Sequence, residues 1–273
     1  MKLKVEHTTL FEYDAPIYET LTEVRLQPGE NPTIPQQVLS FELKVDPTAN
    51  FFQYTDFYGN TVHYFNLLQS HKRVEIKSIA VVDTTSEHCY PGEENEIMLY
   101  EFLNESKYIH FDPQIQKFAA EFQSLINDPY KLSEKVCRTI NSTFVYEPGV
   151  TDVHSTTAVV MTLGRGVCQD FAHIMIATCR YLGIPARYVS GYYYGGATRE
   201  QFDMASHAWC EIYCGAEIGW AAFDPTHDTL FVDERYIRIG AGRDYSDVTL
   251  VRGTYKGNVK ERLKVIVRVS AVA

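Results

Sequence analysis

The sequence predicts an α+β protein: an antiparallel β-sandwich over residues 1–90, then helices packed on an antiparallel sheet over residues 91–273. Three observations carry this reading. The first third of the chain alternates apolar and polar residues with the strand period of two. Two later segments open with Asp-Pro and continue with helical spacing. Strand patterns then return for the rest of the chain. At 273 residues the chain is long for one average domain and short for three, so one large or two modest domains are expected.

In order, "KLKVEHTTLFEY", "LTEVRLQP", "QVLSFELKVDP", "FFQYTDFYGNTVHYFNLL" and "KRVEIKSIAVVD" read as strands separated by Pro, Gly, Asn and Asp. "DFYGNTVHYF" is a hairpin signal with Gly59-Asn60 at the turn. The polar loop "SEHCYPGEENE", with its four Glu, marks the expected boundary. "DPQIQKFAAEFQSLIN" and "DPYKLSEKVCRTINSTF" follow as helices, each with Asp as N-cap and Pro at the first helical position. "STTAVVMTLGRG" and a helix from Cys168 come next. Strands return with "ARYVSGYYYG", "SHAWCEIYC", "GWAAFD" and "RLKVIVRVSAV".

Hydrophobic residues at 45% and charged residues at 22% are ordinary for a globular chain. A net charge of −10 argues against a nucleic-acid partner. The opening "MKLKVEHTTLFEYDAPIYET" reads as a strand and not as a signal peptide, and no apolar run is long enough to span a bilayer. The expectation is a soluble cytoplasmic protein with no membrane partner, its six cysteines free thiols. Oligomeric state leaves no trace in the sequence.

Cys168 follows a Gly-Arg-Gly turn and opens an apolar helix. Backbone N–H groups there lack partners and the helix dipole favours negative charge, which is how a thiol becomes a thiolate. At 100° per residue, Cys168, Ala172, Met175, Cys179 and Leu182 fall within an arc of about 80°, the expected buried stripe. Gly183 and Pro185 end the helix. In "ASHAWCEIYCG", alternation sets His207, Trp209, Glu211 and Tyr213 on one face and Ala208, Cys210 and Ile212 on the other. "GWAAFDPTHD" ends its strand at Asp224, where Pro225 stops pairing. A thiol attacking an amide needs a base, and the base needs an orienting partner; the chain order Cys, His, Asp supplies each once. Each residue also has a plain structural reading. Cys168 can be a helix-start core residue, His207 a satisfied strand histidine, and Asp224 a turn residue before proline.

"GVCQDFAH", "GIPARYVSGY", "ASHAWCEIY" and "GWAAFDPTHD", in this order, resemble the core domain of bacterial transglutaminase-like proteins. The N-terminal strands with "DFYGN" and the tail "IRIGAGRDYSDVTLVRGTYKGN" are similar to the regions flanking that core. The resemblance implies a papain-like fold, a Cys168, His207, Asp224 triad, and acyl transfer through a thioester: peptide or isopeptide hydrolysis, deamidation, or cross-linking to an amine. A peptide or protein substrate and no organic cofactor go with it.

Asp170, in the first helical turn, is expected to serve the dipole, pointing away from the thiol or pairing with Arg165 or Arg187. Gln169 is expected to point elsewhere. Cys210 and Cys214 would lie about 13 Å apart on a strand, too far for one zinc, and neither His173 nor His227 has a partnering ligand in the pattern. No metal is expected, and no "DxDxDG" loop suggests calcium. Two function classes stay open: a cysteine hydrolase or acyltransferase acting on an amide, with hydrolysis preferred, and a peptide-binding or scaffold module with an idle triad.

Overall fold

The alternation at the start of the chain builds one long strand where two were expected. β1 (Lys2–Val24) buries Leu3, Val5, Tyr13 and Ile17 at odd positions, then Thr20, Thr22 and Val24 at even ones. Parity changes at Glu19, whose φ is +49°, beside an irregularity in the pairing. A bulge of this kind bends a strand and increases its twist. The two halves of β1 therefore serve different neighbours. The computed structural model describes residues 1–30, 36–196, 206–227 and 229–272.

Around β1 lie β2 (Gln36–Asp46), β3 (Phe52–Thr55), β4 (Thr61–Leu67) and β5 (His71–Thr84). β3 and β4 form the expected hairpin; Gly59 takes φ +82°, and the Asp56 carboxylate accepts from the Tyr58 and Asn60 amides at 3.0 and 2.9 Å. The chain continues through β6 (Cys89–Tyr90), α1 (Glu96–Glu101), α2 (Pro113–Ala120), α3 (Pro129–Thr143), β7 (Val145–Tyr146), α4 (Thr157–Leu163), β8 (Arg165–Gly166) and α5 (Cys168–Tyr181). It ends with β9 (Ala186–Tyr193), β10 (His207–Tyr213), β11 (Trp220–Phe223), β12 (Tyr236–Gly242), β13 (Val251–Lys256) and β14 (Glu261–Ala271). Asp112 and Asp128 cap α2 and α3 with proline at the first helical positions, as their sequences dictate.

Among the described residues, the strands pair into antiparallel sheets of seven and five strands and a parallel pair of β7 and β8. The first follows β2-β5-β1-β4-β3, with β13 and β14 also on β1; the second follows β12-β9-β10-β11-β6. The first half of β1 pairs β5 and β14 and its second half pairs β4 and β13, so the strands expected to form a sandwich are linked through the bend of β1. The expected boundary lies at residue 90. β6 lies before it yet pairs β11, while β13 and β14, from the far end of the chain, pair β1. The two sheets share one core, where Tyr192, Ile237 and Ile239 of the second pack among Leu3, Val5 and Val267 of the first.

α5 is the central helix of the second half. A single buried stripe was expected, but every residue from Gln169 to Arg180 is buried, because α2, α3 and α4 cover one side and β9 and β10 the other. Arg180, near its end, donates to the carbonyls of Ala186, Asn104 and Arg243 at 2.7 to 2.9 Å. A buried guanidinium satisfied by carbonyls fixes the helix to the sheet.

Candidate active site

The Gly-Arg-Gly turn before Cys168 has two local causes. Gly164 ends α4 at φ +66°, in the left-handed region. Gly166 leaves room for Asp170: a Cβ there would sit 2.5 Å from the Asp170 Oδ2. That oxygen accepts from the Val167 amide at 2.8 Å and from the Thr151 hydroxyl at 2.6 Å. Asp170 therefore fixes the entry to α5. Neither expected arginine is its partner: Arg165 pairs with Glu147 and Arg187 with Glu211. Gln169 does not point elsewhere as expected; it lines the cleft beside Cys168 and donates to the Val153 carbonyl at 3.1 Å.

His207 is the first residue of β10 and pairs with Gly191 of β9. Gly191 has no room for a side chain, since a Cβ would meet the Ile237 carbonyl at 2.1 Å and the Trp209 indole at 2.5 Å. β10 splits its faces as alternation requires. Ala208, Cys210 and Ile212 pack toward α5, while Trp209 packs in a second cluster with Trp220 and Tyr236. His207 stands at the sheet's end, and its ring lines the same cleft as Cys168. Its Nε2 lies 2.7 Å from the Asp224 Oδ2, which leaves Nδ1 for the sulfur.

Asp224 is fully buried at the end of β11, and its two oxygens collect four donors. Oδ1 accepts from the Thr226 amide at 2.8 Å. Oδ2 lies 2.7 Å from His207 Nε2 and 2.8 Å from both His227 Nδ1 and Tyr236 Oη. Burial alone would raise this carboxyl, but the His207 charge and these hydrogen bonds hold it well below the usual carboxylate range. Burial alone would lower the His207 imidazole; Asp224 and the facing Cys168 sulfur outweigh that and raise it to about 10. The raised value favours the protonated ring at neutral pH.

Cys168 and His207 are thus brought to one cleft, with Asp224 hydrogen-bonded behind the imidazole. Two further members escaped the sequence reading. His227 follows Asp224 by three residues within one turn, a spacing that could have flagged it. Tyr236 begins β12, which the sequence reading did not assign as a strand, so it left no such signal. His207, Asp224 and His227 also form a potential metal-ligand group, their ligand atoms within 4.8 Å. Tetrahedral zinc with bonds of about 2.0 Å would set ligands about 3.3 Å apart. The observed 2.7 and 2.8 Å are hydrogen-bond distances, so the group fits a relay better than an ion.

The row opens into a cleft of about 670 Å³. Tyr146, Pro148, Val153, Tyr188 and Tyr245 supply much of its wall. This is an apolar recess with a few convergent polar groups, the usual form of a small-molecule or peptide site. All six cysteines are free thiols. Cys137, Cys179 and Cys210 are buried, and burial pushes each thiol up. Among the described residues, no helix is long and apolar enough to cross a membrane.

A cysteine at the first turn of a central helix, facing a strand histidine across a cleft, defines the class of α+β thiol proteins. Within that class the chain belongs to the transglutaminase-like superfamily. The superfamily's core matches residues 116–225, which include Cys168, His207 and Asp224, and the bacterial transglutaminase-like N-terminal region matches residues 3–83. An uncharacterized protein of Mycobacterium leprae is 32% identical over all of this chain and 99% of its own. One from Mycobacterium bovis is 28% identical over 92% of this chain and 87% of its own. The crystal structure of a candidate cysteine protease from Cytophaga hutchinsonii has the same fold, with a TM-score of 0.77 at 24% identity, covering 100% of this chain and 92% of that one.

Proposed function

We propose that the protein is a cysteine-dependent amide hydrolase or acyltransferase, acting as a peptidase or isopeptidase through a thioester. The single observation that supports this most is the row Cys168, His207, Asp224 at the wall of an open cleft. In this reading the Cys168 thiolate attacks the carbonyl carbon of the amide. The oxyanion is met by the Cys168 backbone N–H, which has no acceptor within its own helix. The His207 imidazolium protonates the leaving nitrogen as the C–N bond breaks, and the amine departs. Neutral His207 then takes a proton from water, the hydroxide attacks the thioester, and the carboxylic acid leaves as the thiolate reforms. Asp224 holds the ring in one orientation throughout. An amine in place of water would give transamidation. Hydrolysis is preferred because water is always available, whereas transfer needs a built acceptor site.

The test is alkylation of Cys168 by iodoacetamide at mildly acidic pH, followed by peptide mass spectrometry. Wild type should react at least about tenfold faster than His207→Ala, because a neighbouring imidazole activates a nucleophilic thiol. Equal rates would sink the proposal and favour a binding module. Given activity, a labelled primary amine incorporated faster than the amide is hydrolysed would overturn the preference for hydrolysis.

A further inference from the structure

The inward-facing rows of the seven-stranded sheet outrun the core they pack against. On β14, Val267 and Val269 are buried, yet Val265 and Leu263 on the same face are 39% and 54% exposed. On β1 the inward row passes from Leu3 and Val5 to His7 and Thr9, and beyond the bulge it holds Thr20 and Thr22 before Val24. Hydroxyls beside an uncovered aliphatic row do not describe a packed core. They line a groove of about 600 Å³ together with Tyr108, His154, Tyr245, Ser246, Thr249 and Leu250.

This groove adjoins the cleft. Val153, Ser206 and Tyr245 line both. Tyr245 is held at the junction: its backbone N–H donates to the His173 Nε2 at 3.3 Å, and burial keeps that ring neutral and so able to accept. A small amide would need only the cleft around Cys168. The groove adds a second recess of similar size, built largely from the N-terminal sheet.

We propose that the groove binds the extended backbone of a polypeptide substrate, which runs from Cys168 past Tyr245 onto the inner face of the sheet. The inference rests on amide chemistry at Cys168 and names the substrate as a protein or long peptide. An extended chain presents every second side chain to one face, matching the spacing of Leu263 and Val265. Its amide N–H groups can donate to the hydroxyl oxygens of Thr22, Thr249 and Ser246, the last two of which donate their own protons to the Tyr245 carbonyl and to Asp244. A glycan would satisfy those hydroxyls but leave the aliphatic pair uncovered.

The test measures the rate of Cys168 alkylation by iodoacetyl reagents, with iodoacetamide as each variant's own reference. The reagents are a six-residue Ala-Leu-Ser peptide carrying the iodoacetyl group at either end, and an iodoacetylated chitooligosaccharide. One peptide polarity should react about tenfold or more faster than iodoacetamide, the affinity equivalent of burying an aliphatic side chain. Leu263→Glu and, as a second variant, Val265→Glu should each abolish that ratio. Three results would overturn the proposal: neither polarity accelerates, the acceleration survives both variants, or only the oligosaccharide accelerates. The His207→Ala comparison with iodoacetamide alone reports separately on the catalytic reading, so the two failures are distinguishable.

Discussion

The Nε2 of His207 lies 2.7 Å from the Oδ2 of Asp224, and that carboxylate is fully buried. A buried carboxylate is tolerated only when donors surround it. Here they are His207, His227, Tyr236 and a backbone amide, so orientation of the imidazole and stability of the sheet's end depend on the same oxygen atoms.

Asp224→Asn keeps the shape and removes the charge. The imidazole loses its preferred tautomer and the stabilisation of its protonated form. Activity on a fluorogenic peptide should fall about 10²- to 10⁴-fold. Alkylation of Cys168 at mildly acidic pH should slow in parallel. Unchanged kcat/KM would remove Asp224 from the mechanism.

Tyr236→Phe removes one of three donors to the Asp224 Oδ2 without changing the ring. A hydrogen bond to a charged acceptor contributes about 1.5–3 kcal/mol, so kcat should drop about tenfold with little change in KM. A larger change in KM than in kcat would mean that Tyr236 shapes the cleft rather than positioning Asp224.

The pH dependence follows from His207. Its folded value of about 10 lies above the ordinary value near 6.5. Its contribution to stability is therefore fully present below about 6.5 and lost as pH rises through about 10. Activity should show an alkaline limb near pH 10. The thermal midpoint should fall more steeply from about pH 8 to about pH 11 in wild type than in His207→Gln. An alkaline limb near neutrality would show that the imidazolium is not held.

Behind Trp209, the fully buried Glu211 pairs with Arg187 at 2.6 Å and with Arg238 at 3.0 Å. Burial would raise this carboxyl, but the two guanidinium groups hold it lowered. Glu211→Gln leaves two buried cations without their counter-charge and should destabilise by about 3–5 kcal/mol, read by urea unfolding. A loss below about 1 kcal/mol would mean that Glu94, 3.8 Å from Arg187, and water take over.

Much of this was legible in the sequence because its causes are local. Asp-Pro caps α2 and α3 within four residues of chain, and Gly59 with Asp56 closes the hairpin within five. A cysteine after Gly-Arg-Gly and an aspartate before proline mark the ends of elements: Cys168 is the first residue of α5 and Asp224 follows the last residue of β11. The resemblance to transglutaminase-like proteins then named the three residues that the fold gathers.

The tertiary structure decided what depends on partners far away in the chain. Periodicity records which face of a strand is buried and not which strand lies beside it. β14 reads as a strand from its alternation, but only the paired structure sets it on β1, at the opposite end of the chain. Asp170 could have paired with either of two arginines by charge alone; the turn geometry gave it Thr151 and the Val167 amide instead. Tyr236 reaches Asp224 because β12 adds to β9 at the sheet's edge, and the Leu263 row is left uncovered because the core ends before it. The sequence alone determined the chemical groups at the ends of their elements. Their convergence on one carboxylate, and the groove leading to it, came from long-range pairing, because hydrogen bonds between distant segments have no period for the sequence to carry.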